Sequence, residues 1–359
     1  MKAWFDVGLH VVVDGVHLLF DPSSWFDPHP KPPDVHQPVD AVLVSHAHSD
    51  HSNLAKDFNS VKKGGRFVSV PILMHPATHD ISSRWNKFEK PVFIEAGEKM
   101  KLGGIEIQAF NAGHCMGSLQ FKVESSEGSL TFTGDINTNG SVVMEPADII
   151  PADYIAIEAT MGNPSMVVPP RDEAYGVIKD FVKSHIGDGK TFIVLYGHAL
   201  GKGQELVKLL NEIEEPFFNI FVDNRTNSLN KIYERYHDML GEYEKVNMAK
   251  LFGGDDAVIV YDLYQLHKKM PFHKKYGITR EPPSMIISAF GVEGKDYPII
   301  NLSSHDDFNG ILGYIKKADE KKDGKPKVIA FHGDHEAFCT SLREQGFYAY
   351  DSHVDVLDV

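Results

Sequence analysis

His46-Ala-His48-Ser-Asp50-His51 follows directly on the apolar run Asp40-Ala-Val-Leu-Val-Ser45. The run reads as a buried strand, so three imidazoles and a carboxylate crowd its C-terminal lip. That donor mixture suits Zn²⁺ and related divalent ions. A lone His-x-His usually means nothing. Four polar groups packed at one strand end repel one another, or go unsatisfied, unless something cationic binds them.

Three more stretches share this grammar of apolar strand, donor and nearby glycine. His114 lies in Ala112-Gly-His-Cys-Met-Gly-Ser118, Asp135 in Thr131-Phe-Thr-Gly-Asp135, and His332 in Val328-Ile-Ala-Phe-His-Gly-Asp334. Each alone fits a capping Asp or a satisfied core His. Four such stretches in one chain point to a metal centre. Cys115, beside His114, reads as a bystander, since a thiolate would damp the metal's Lewis acidity.

Other segments carry chemistry more ambiguously. Tyr154-Ile-Ala-Ile-Glu158 sets a carboxylate at a strand end, where a salt bridge is the bland alternative. Asn301-Leu-Ser-Ser-His305-Asp-Asp307 precedes a helical period; His305 could be an N-cap-like residue, and Asp307 the N-cap itself. Gly197-His-Ala-Leu-Gly201-Lys202 lacks the gap and the Ser/Thr of a P-loop, which excludes nucleoside triphosphate binding. A glycine turn opening a helix still offers N–H groups to a phosphate; a plain strand–helix turn is the equal alternative. The stretch His267-Lys-Lys-Met-Pro-Phe-His-Lys-Lys-Tyr276, with Arg280 close by, reads first as a solvated loop and second as a single-strand path.

The elements that must position these residues change character along the chain. Up to residue 165 come short β-runs: His10–Val13, Gly15–Phe20, Ala41–Val44, Ile105–Phe110, Leu119–Val123, Ser129–Thr133 and Tyr154–Ile157. Asn53–Phe58 and Ala77–Lys87 read as helices, and Asp21–Gln37 as an irregular Pro-rich loop. After Pro169-Pro170 strands and helices alternate: Glu173–Ser184, Thr191–Tyr196, Gln204–Ile213, Asn219–Val222, Ser228–Met239, Ala257–Tyr261 and Ser284–Ala289. Such alternation predicts an α/β unit with a parallel sheet. Strand Ile299–Leu302, helix Phe308–Lys317, strand Lys327–Phe331, helix Ala337–Gln345 and strand Phe347–Tyr350 follow.

The 359 residues allow two domains, or one core with a large insertion. Two cysteines exclude a disulfide scaffold and fit a reducing cytoplasm. No window approaches the roughly 18 apolar residues of a membrane span, and Asp6 interrupts any leader-like start. A net charge of −14 disfavours indiscriminate adhesion to nucleic acid. Residues 166–294, however, hold roughly 16 basic against 18 acidic side chains, so most of the excess lies elsewhere.

With these residues in place, the chain resembles the metallo-β-lactamase superfamily. The resemblance implies that His46, His48 and His114 hold one zinc, that Asp50, His51 and His332 hold a second, and that Asp135 bridges them. Asp21 of Leu18-Leu-Phe-Asp21 would support the ligands from behind. Two Zn²⁺ are the implied cofactors, with Mn²⁺ as the alternative. Glu158, His305 and His332 resemble motifs A, B and C of the β-CASP nuclease branch, and Ala199-Leu-Gly-Lys-Gly-Gln204 resembles the stretch Ala-x-Gly-Arg/Lys-x-Gln of its cap.

That branch resemblance covers nearly the whole chain, in the manner of the compact prokaryotic exonuclease and RNA-processing type. The implied fold class is α/β: an αββα sandwich of residues 1–165 and 295–359, interrupted by a β-CASP cap at 166–294. The implied reaction is hydrolysis of single-stranded nucleic acid, RNA favoured because motif C is His, by a dimetal-bound hydroxide. Asp50, Glu158 and His305 would be the catalytic residues, with His305 the general acid; Gly201, Lys202 and Ser304 would contact substrate. A repair-type DNA exonuclease or a small-molecule metallo-hydrolase is the alternative. A cytoplasmic location and no membrane are expected; a homodimer stays open.

Overall fold

Every position of strand Tyr154–Glu158 is buried, as an apolar run covered on both faces requires. Tyr154 and Ala156 point into a cluster with Phe121, Phe132 and Phe331. Ile155 and Ile157 point the other way, against Phe308, Ile311 and Phe338. Period-two alternation thus feeds two cores from one strand.

The structure, a computed structural model, describes residues 1–25, 38–187, 189, 191–237, 239–253, 255–288, 297–322, 324–352 and 357–358. The chain divides into two compact units. One comprises Met1–Gly140, Glu145–Val167 and His305–Val359; the other comprises Ser141–Met144 and Val168–Ser304.

Among the described residues the first unit contains two seven-stranded sheets. One runs Leu357–Asp358, Lys2–Phe5, Leu9–Val13, Val16–Phe20, Ala41–Leu43, Ile72–Met74, Pro91–Phe93. The other runs Tyr348–Asp351, Lys327–Phe331, Tyr154–Glu158, Gly128–Phe132, Leu119–Ser125, Ile105–Asn111, Lys99–Leu102. Their inner faces share one apolar core, in which Phe132 lies 4.9 Å from Phe20 and 5.1 Å from Phe331. Helices Phe308–Glu320 and His335–Glu344 cover the outer face of the second sheet. A 3-10 turn at Ala55–Phe58 and its neighbours Val61 and Val70 cover the outer face of the first. The layering is αββα, as the resemblance implies.

The second unit is a parallel sheet in the order Glu244–Lys245, Asn219–Val222, Ala257–Asp262, Phe192–Gly197, Ser284–Ser288, Ile299–Asn301. Helices Arg171–His185, Lys202–Asn211 and Asn224–Tyr236 alternate with its strands. This unit runs on to Ser304, past the expected edge at 294, because Ile299–Asn301 pairs with Ser284–Ser288 (Ile286 opposite Ile299). Ser141–Met144 also belongs to it, and Val142 N donates to Tyr175 Oη at 3.3 Å.

Several elements differ from the sequence expectation. The helix expected at Asn53–Phe58 is a short helix Ser49–Ser52 followed by the 3-10 turn. The one expected to reach Lys87 stops at Ser82. The helix expected at Ser228–Met239 starts at Asn224, because Asp223 caps it by accepting from Arg225 N (2.7 Å) and Thr226 N (3.1 Å). Strands Ile72–Met74, Pro91–Phe93 and Lys99–Leu102 are too short or too polar to announce themselves. From residue 26 to 37, the expected Pro-rich loop lies outside the described residues, as does Ala289 at the end of an expected strand. No helix among the described residues is long and apolar enough to cross a membrane.

A polar seam pins the outer helix to the second sheet. Tyr314 Oη donates to Gln120 Oε1 at 2.7 Å and accepts from Ile150 N at 3.3 Å, while Gln120 Nε2 donates to Asn111 O (2.7 Å) and Asp148 O (2.8 Å). Tyr314→Phe strands Gln120 Oε1 and Ile150 N in the interior. It should lower the free energy of urea unfolding by about 1–3 kcal/mol; an unchanged value would show that the seam contributes nothing.

Candidate metal centre and active site

Four strands of the first unit deliver the candidate residues from their C-terminal ends. Ala41–Leu43 leads to His46, His48, Asp50 and His51; Gly128–Phe132 to Asp135; Tyr154–Glu158 ends in Glu158; Lys327–Phe331 leads to His332. The turn between Ile105–Asn111 and Leu119–Ser125 adds His114. Gly134 turns left-handed (φ +54°) beside Ser45, where a Cβ would meet Ser45 Cβ at 2.5 Å. Only glycine lets Asp135 come so close to the His46 strand. His332 itself sits at φ +59°.

The structure brings all seven expected ligands together in two adjoining groups. His46, His48, His114 and Asp135 form one, and Asp50, His51 and His332 the other; within each group the donor atoms lie inside 4.8 Å of one another. Asp135 Oδ2 lies 3.4 Å from His46 Nε2, 3.6 Å from His114 Nε2 and 3.3 Å from His51 Nε2. It therefore faces both groups. The rings of His51 and His332 stack at 4.7 Å.

Asp21 organises this cluster from behind. It accepts from Ser45 N (2.6 Å), Ser45 Oγ (2.5 Å) and His51 Nδ1 (2.8 Å). Because the Ser45 hydroxyl proton goes to Asp21, Ser45 Oγ accepts from His46 Nδ1 at 2.9 Å. His46 Nε2 is then left as a lone pair, 3.0 Å from His48 Nδ1, which is itself 3.0 Å from His114 Nε2. Three imidazole nitrogens and a carboxylate converge with few protons to share. Asp135 Oδ1 is buried and accepts no hydrogen bond among the described residues. A cation satisfies such a set, and its N/O donors without thiolate suit a divalent ion.

Protonation agrees with that reading. Burial and His46 push His48 down to about 3; burial and His51 push His332 down to about 4. Burial and the nearby His305 hold His114 well below its ordinary value. All three are neutral imidazoles, the form that ligates. Burial opposes a charge on His51, but the Asp135 and Asp21 carboxylates outweigh it and hold its pKa well above 6.5. Without a metal, a proton between Asp21 and Asp135 takes the cation's place. Burial keeps the Cys115 thiol protonated.

A second constellation adjoins the first. His305 Nδ1 lies 3.1 and 3.2 Å from the two Glu158 oxygens and 3.8 Å from Asp135 Oδ2. Burial disfavours its charge, yet Glu158 and Asp135 raise its pKa to about 9. Asp307, not His305, caps helix Phe308–Glu320, accepting from Gly310 N at 2.9 Å.

Two supports escaped the sequence reading. Ser45 relays Asp21 to His46. Asp306 is buried, and accepts twice from Thr138 N (3.0 Å each) and from Asn139 Nδ2 (3.2 Å), while its own N donates to Ile136 O (2.9 Å). Ile136 N donates in turn to Glu158 Oε1 at 2.8 Å. The loop after Asp135 is thus held by the neighbours of His305. Burial pushes Asp306 up to about 7. Its only sequence signal was a run of two aspartates after a histidine, which cannot say which of them caps.

In the second unit, Gly201 turns at φ +82° and its N donates to Gln204 Oε1 at 2.8 Å, opening helix Lys202–Asn211. Lys202 is only 4% exposed, and its ammonium donates to Glu205 Oε2 at 2.9 Å. Arg171 also pairs with Glu205, and donates to Ser303 O at 2.5 Å. Burial lowers the Lys202 pKa against the pull of Glu205. Ser304, half-buried, ends this unit one residue before His305.

A beta-lactamase superfamily domain matches residues 10–187. A probable DNA ligase of Opitutus terrae is 26% identical over 325 residues, covering 88% of this chain and 29% of that protein. An RNase J-like protein of Methanocaldococcus jannaschii is 25% identical over 355 residues, covering 82% of each chain. RNase aCSPSF2 of Saccharolobus solfataricus is 25% identical over 362 residues, covering 86% of this chain and 72% of its own. The chain therefore spans under a third of the ligase but most of the two archaeal proteins. A crystal structure of a protein of unknown function from Enterococcus faecalis V583 superposes with a TM-score of 0.63 at 13% identity, over 97% of this chain and 96% of that one, which shows a shared fold. With a sandwich that gathers histidines and aspartates at its strand ends and relatives of this kind, the chain carries a beta-lactamase superfamily domain over residues 10–187 and is similar along most of its length to proteins named as RNases.

Proposed function

We propose that the chain is a zinc-dependent nuclease that hydrolyses phosphodiester bonds of single-stranded RNA. The observation that carries this reading is the ion pair of His305 with Glu158, 3.8 Å from the Asp135 carboxylate that faces both ligand groups. A metal centre alone would serve any hydrolase of this fold. A phosphodiester also needs a proton for its leaving oxygen, and a carboxylate-paired histidine holds one.

His46, His48 and His114 would hold one Zn²⁺, Asp50, His51 and His332 the other, with Asp135 shared and Asp21 orienting His51 and Ser45. When bound, such a pair lowers the pKa of a coordinated water and neutralises charge on the phosphoryl oxygens. The chain's own residues do the rest. Glu158 occupies His305 Nδ1, and Nε2 would carry the proton given to the leaving group. Asp306 and Glu158 together fix the loop behind Asp135, so the acid and the shared carboxylate keep one spacing. Lys202, paired with Glu205, acts on the Gly201 turn from within; Gly201 and Ser304 offer the polar contacts to substrate.

Both archaeal relatives are named as RNases, which supports RNA. The ligase relative favours a second reading, a DNA exonuclease acting in repair.

Purified chain incubated with end-labelled single strands of RNA and DNA, with and without chelator, tests both readings. Metal-dependent ladders from RNA alone support the first, ladders from DNA alone the second, and no product from either strand removes the nuclease reading. His305→Ala should keep its metal and cleave about 10²–10⁴-fold more slowly. The wild-type rate should fall on the alkaline side as His305 loses its proton, at or below about pH 9, since a nearby cation only weakens its hold; the variant should lack that limb. Equal rates in variant and wild type would remove His305 as the acid. Asp21→Ala should weaken zinc affinity about 10–100-fold in chelator competition, by freeing His51 and Ser45. Unchanged affinity would show that Asp21 organises nothing.

A further inference from the structure

In a chain of net charge −14, residues 263–280 hold five Lys or Arg, two His and no acidic residue. The second unit folds this stretch as two short helices, Leu263–His267 and Phe272–Lys275, joined by a turn in which Lys269 is left-handed (φ +57°). Leu263, Leu266 and Phe272 are buried in the unit's core, and Phe272 N donates to Tyr196 Oη at 3.0 Å. The stretch is therefore mounted firmly, with its cations outward. Lys268, Lys269, Lys274, Lys275 and Arg280 are all exposed.

None of these five cations has a carboxylate partner among the described residues. The carboxylates that flank the stretch are taken. Asp262 accepts from Arg225 Nη1 (3.1 Å) and Tyr264 N (3.2 Å), and Glu281 accepts from Tyr297 Oη and faces His273 Nδ1 at 3.3 Å. Aromatic rings lie among the cations instead. Lys268 Nζ is 4.6 Å from the ring centre of Tyr264, which is 48% exposed, and Lys275 Nζ lies 5.4 Å from Tyr261 and 5.7 Å from Tyr276. Of these rings the exposed Tyr264 offers a face for a base, while the ammonium groups offer charge to phosphates.

We propose that the face from Tyr264 to Arg280 is an exosite for the backbone and bases of single-stranded nucleic acid, separate from the residues that do chemistry. The inference extends the nuclease reading and rests on it for the identity of the polyanion. Lysines with no carboxylate partner among the described residues, on a fixed mount, release counterions when a phosphate chain binds. Such binding is uniform between ground and transition states, so it acts on KM and leaves kcat alone.

The test uses the metal-loaded full chain and a variant with Lys268→Ala, Lys269→Ala, Lys274→Ala and Lys275→Ala together. Binding of a fluorescent, phosphorothioate-linked polyuridylate of about 30 nucleotides is followed across a KCl series. The variant should bind at least about tenfold more weakly near 100 mM KCl, with a log–log salt slope shallower by about 0.7 for each lost phosphate contact. On the unmodified strand its KM should rise in proportion with kcat unchanged. Equal affinity and slope in variant and wild type overturn the proposal. So does loss of binding to vesicles of phosphatidylcholine and phosphatidylserine with no change toward the oligonucleotide, which would make the face a lipid contact. A wild type that binds the strand but never cuts it ends the nuclease reading and leaves the exosite standing on the binding arm.

Discussion

The first unit is organised around one demand: positive charge between Asp135 and the imidazoles that converge on it. Asp135 Oδ2 lies within 3.6 Å of three ring nitrogens, and its Oδ1 has no hydrogen bond among the described residues. Lone pairs and carboxylate oxygens at such distances repel unless a proton or a cation lies among them. His51, held protonated between Asp21 and Asp135, shows how the metal-free chain meets the demand. A divalent ion meets it with more charge and more bonds. Proton and metal then compete for one place, and metal affinity falls as pH falls.

The sandwich answers the geometric half of that demand. Parallel strands in both sheets deliver their ends to one place, so the residues at and just beyond those ends reach the cluster. Asp21 and Ser45 complete the lattice that holds the His46 end, and the Ser45 proton runs in a fixed direction. Ser45 gives its proton to Asp21 and receives one from His46, which aims the His46 lone pair inward. His305 belongs to the same fabric through Glu158, whose other contact, Ile136 N, lies one residue past Asp135. Asp135 and His305 are coupled through one backbone step to Ile136 and the hydrogen bonds that Glu158 makes with Ile136 N and His305.

Much of this was legible because strand ends announce themselves. An apolar run that ends in a donor is a local pattern, and His46, His114, Asp135 and His332 all carry it, the last three with a glycine alongside. Ser45 and Asp306 carry none, since what they do depends on partners up to 168 residues away. Lys202 illustrates the converse. Its place after a glycine turn suggests an open phosphate grip, while the fold buries its ammonium against Glu205 on the next helical turn. Spacing shows which residues share a turn, but not which of them face inward. The second unit's extent was equally hidden, because Ile299–Asn301 joins its sheet by pairing with a strand eleven or more residues earlier, across a stretch with no pattern of its own.

Anomalous diffraction at the zinc edge from crystals of the zinc-loaded chain tests the central claim most directly. The account requires two peaks about 3.5–4 Å apart, one among His46, His48 and His114, the other among Asp50, His51 and His332, with Asp135 reaching both. Fully loaded crystals with no peak at this cluster, or with zinc held elsewhere while Asp135 and His51 stay paired through a proton, would contradict it.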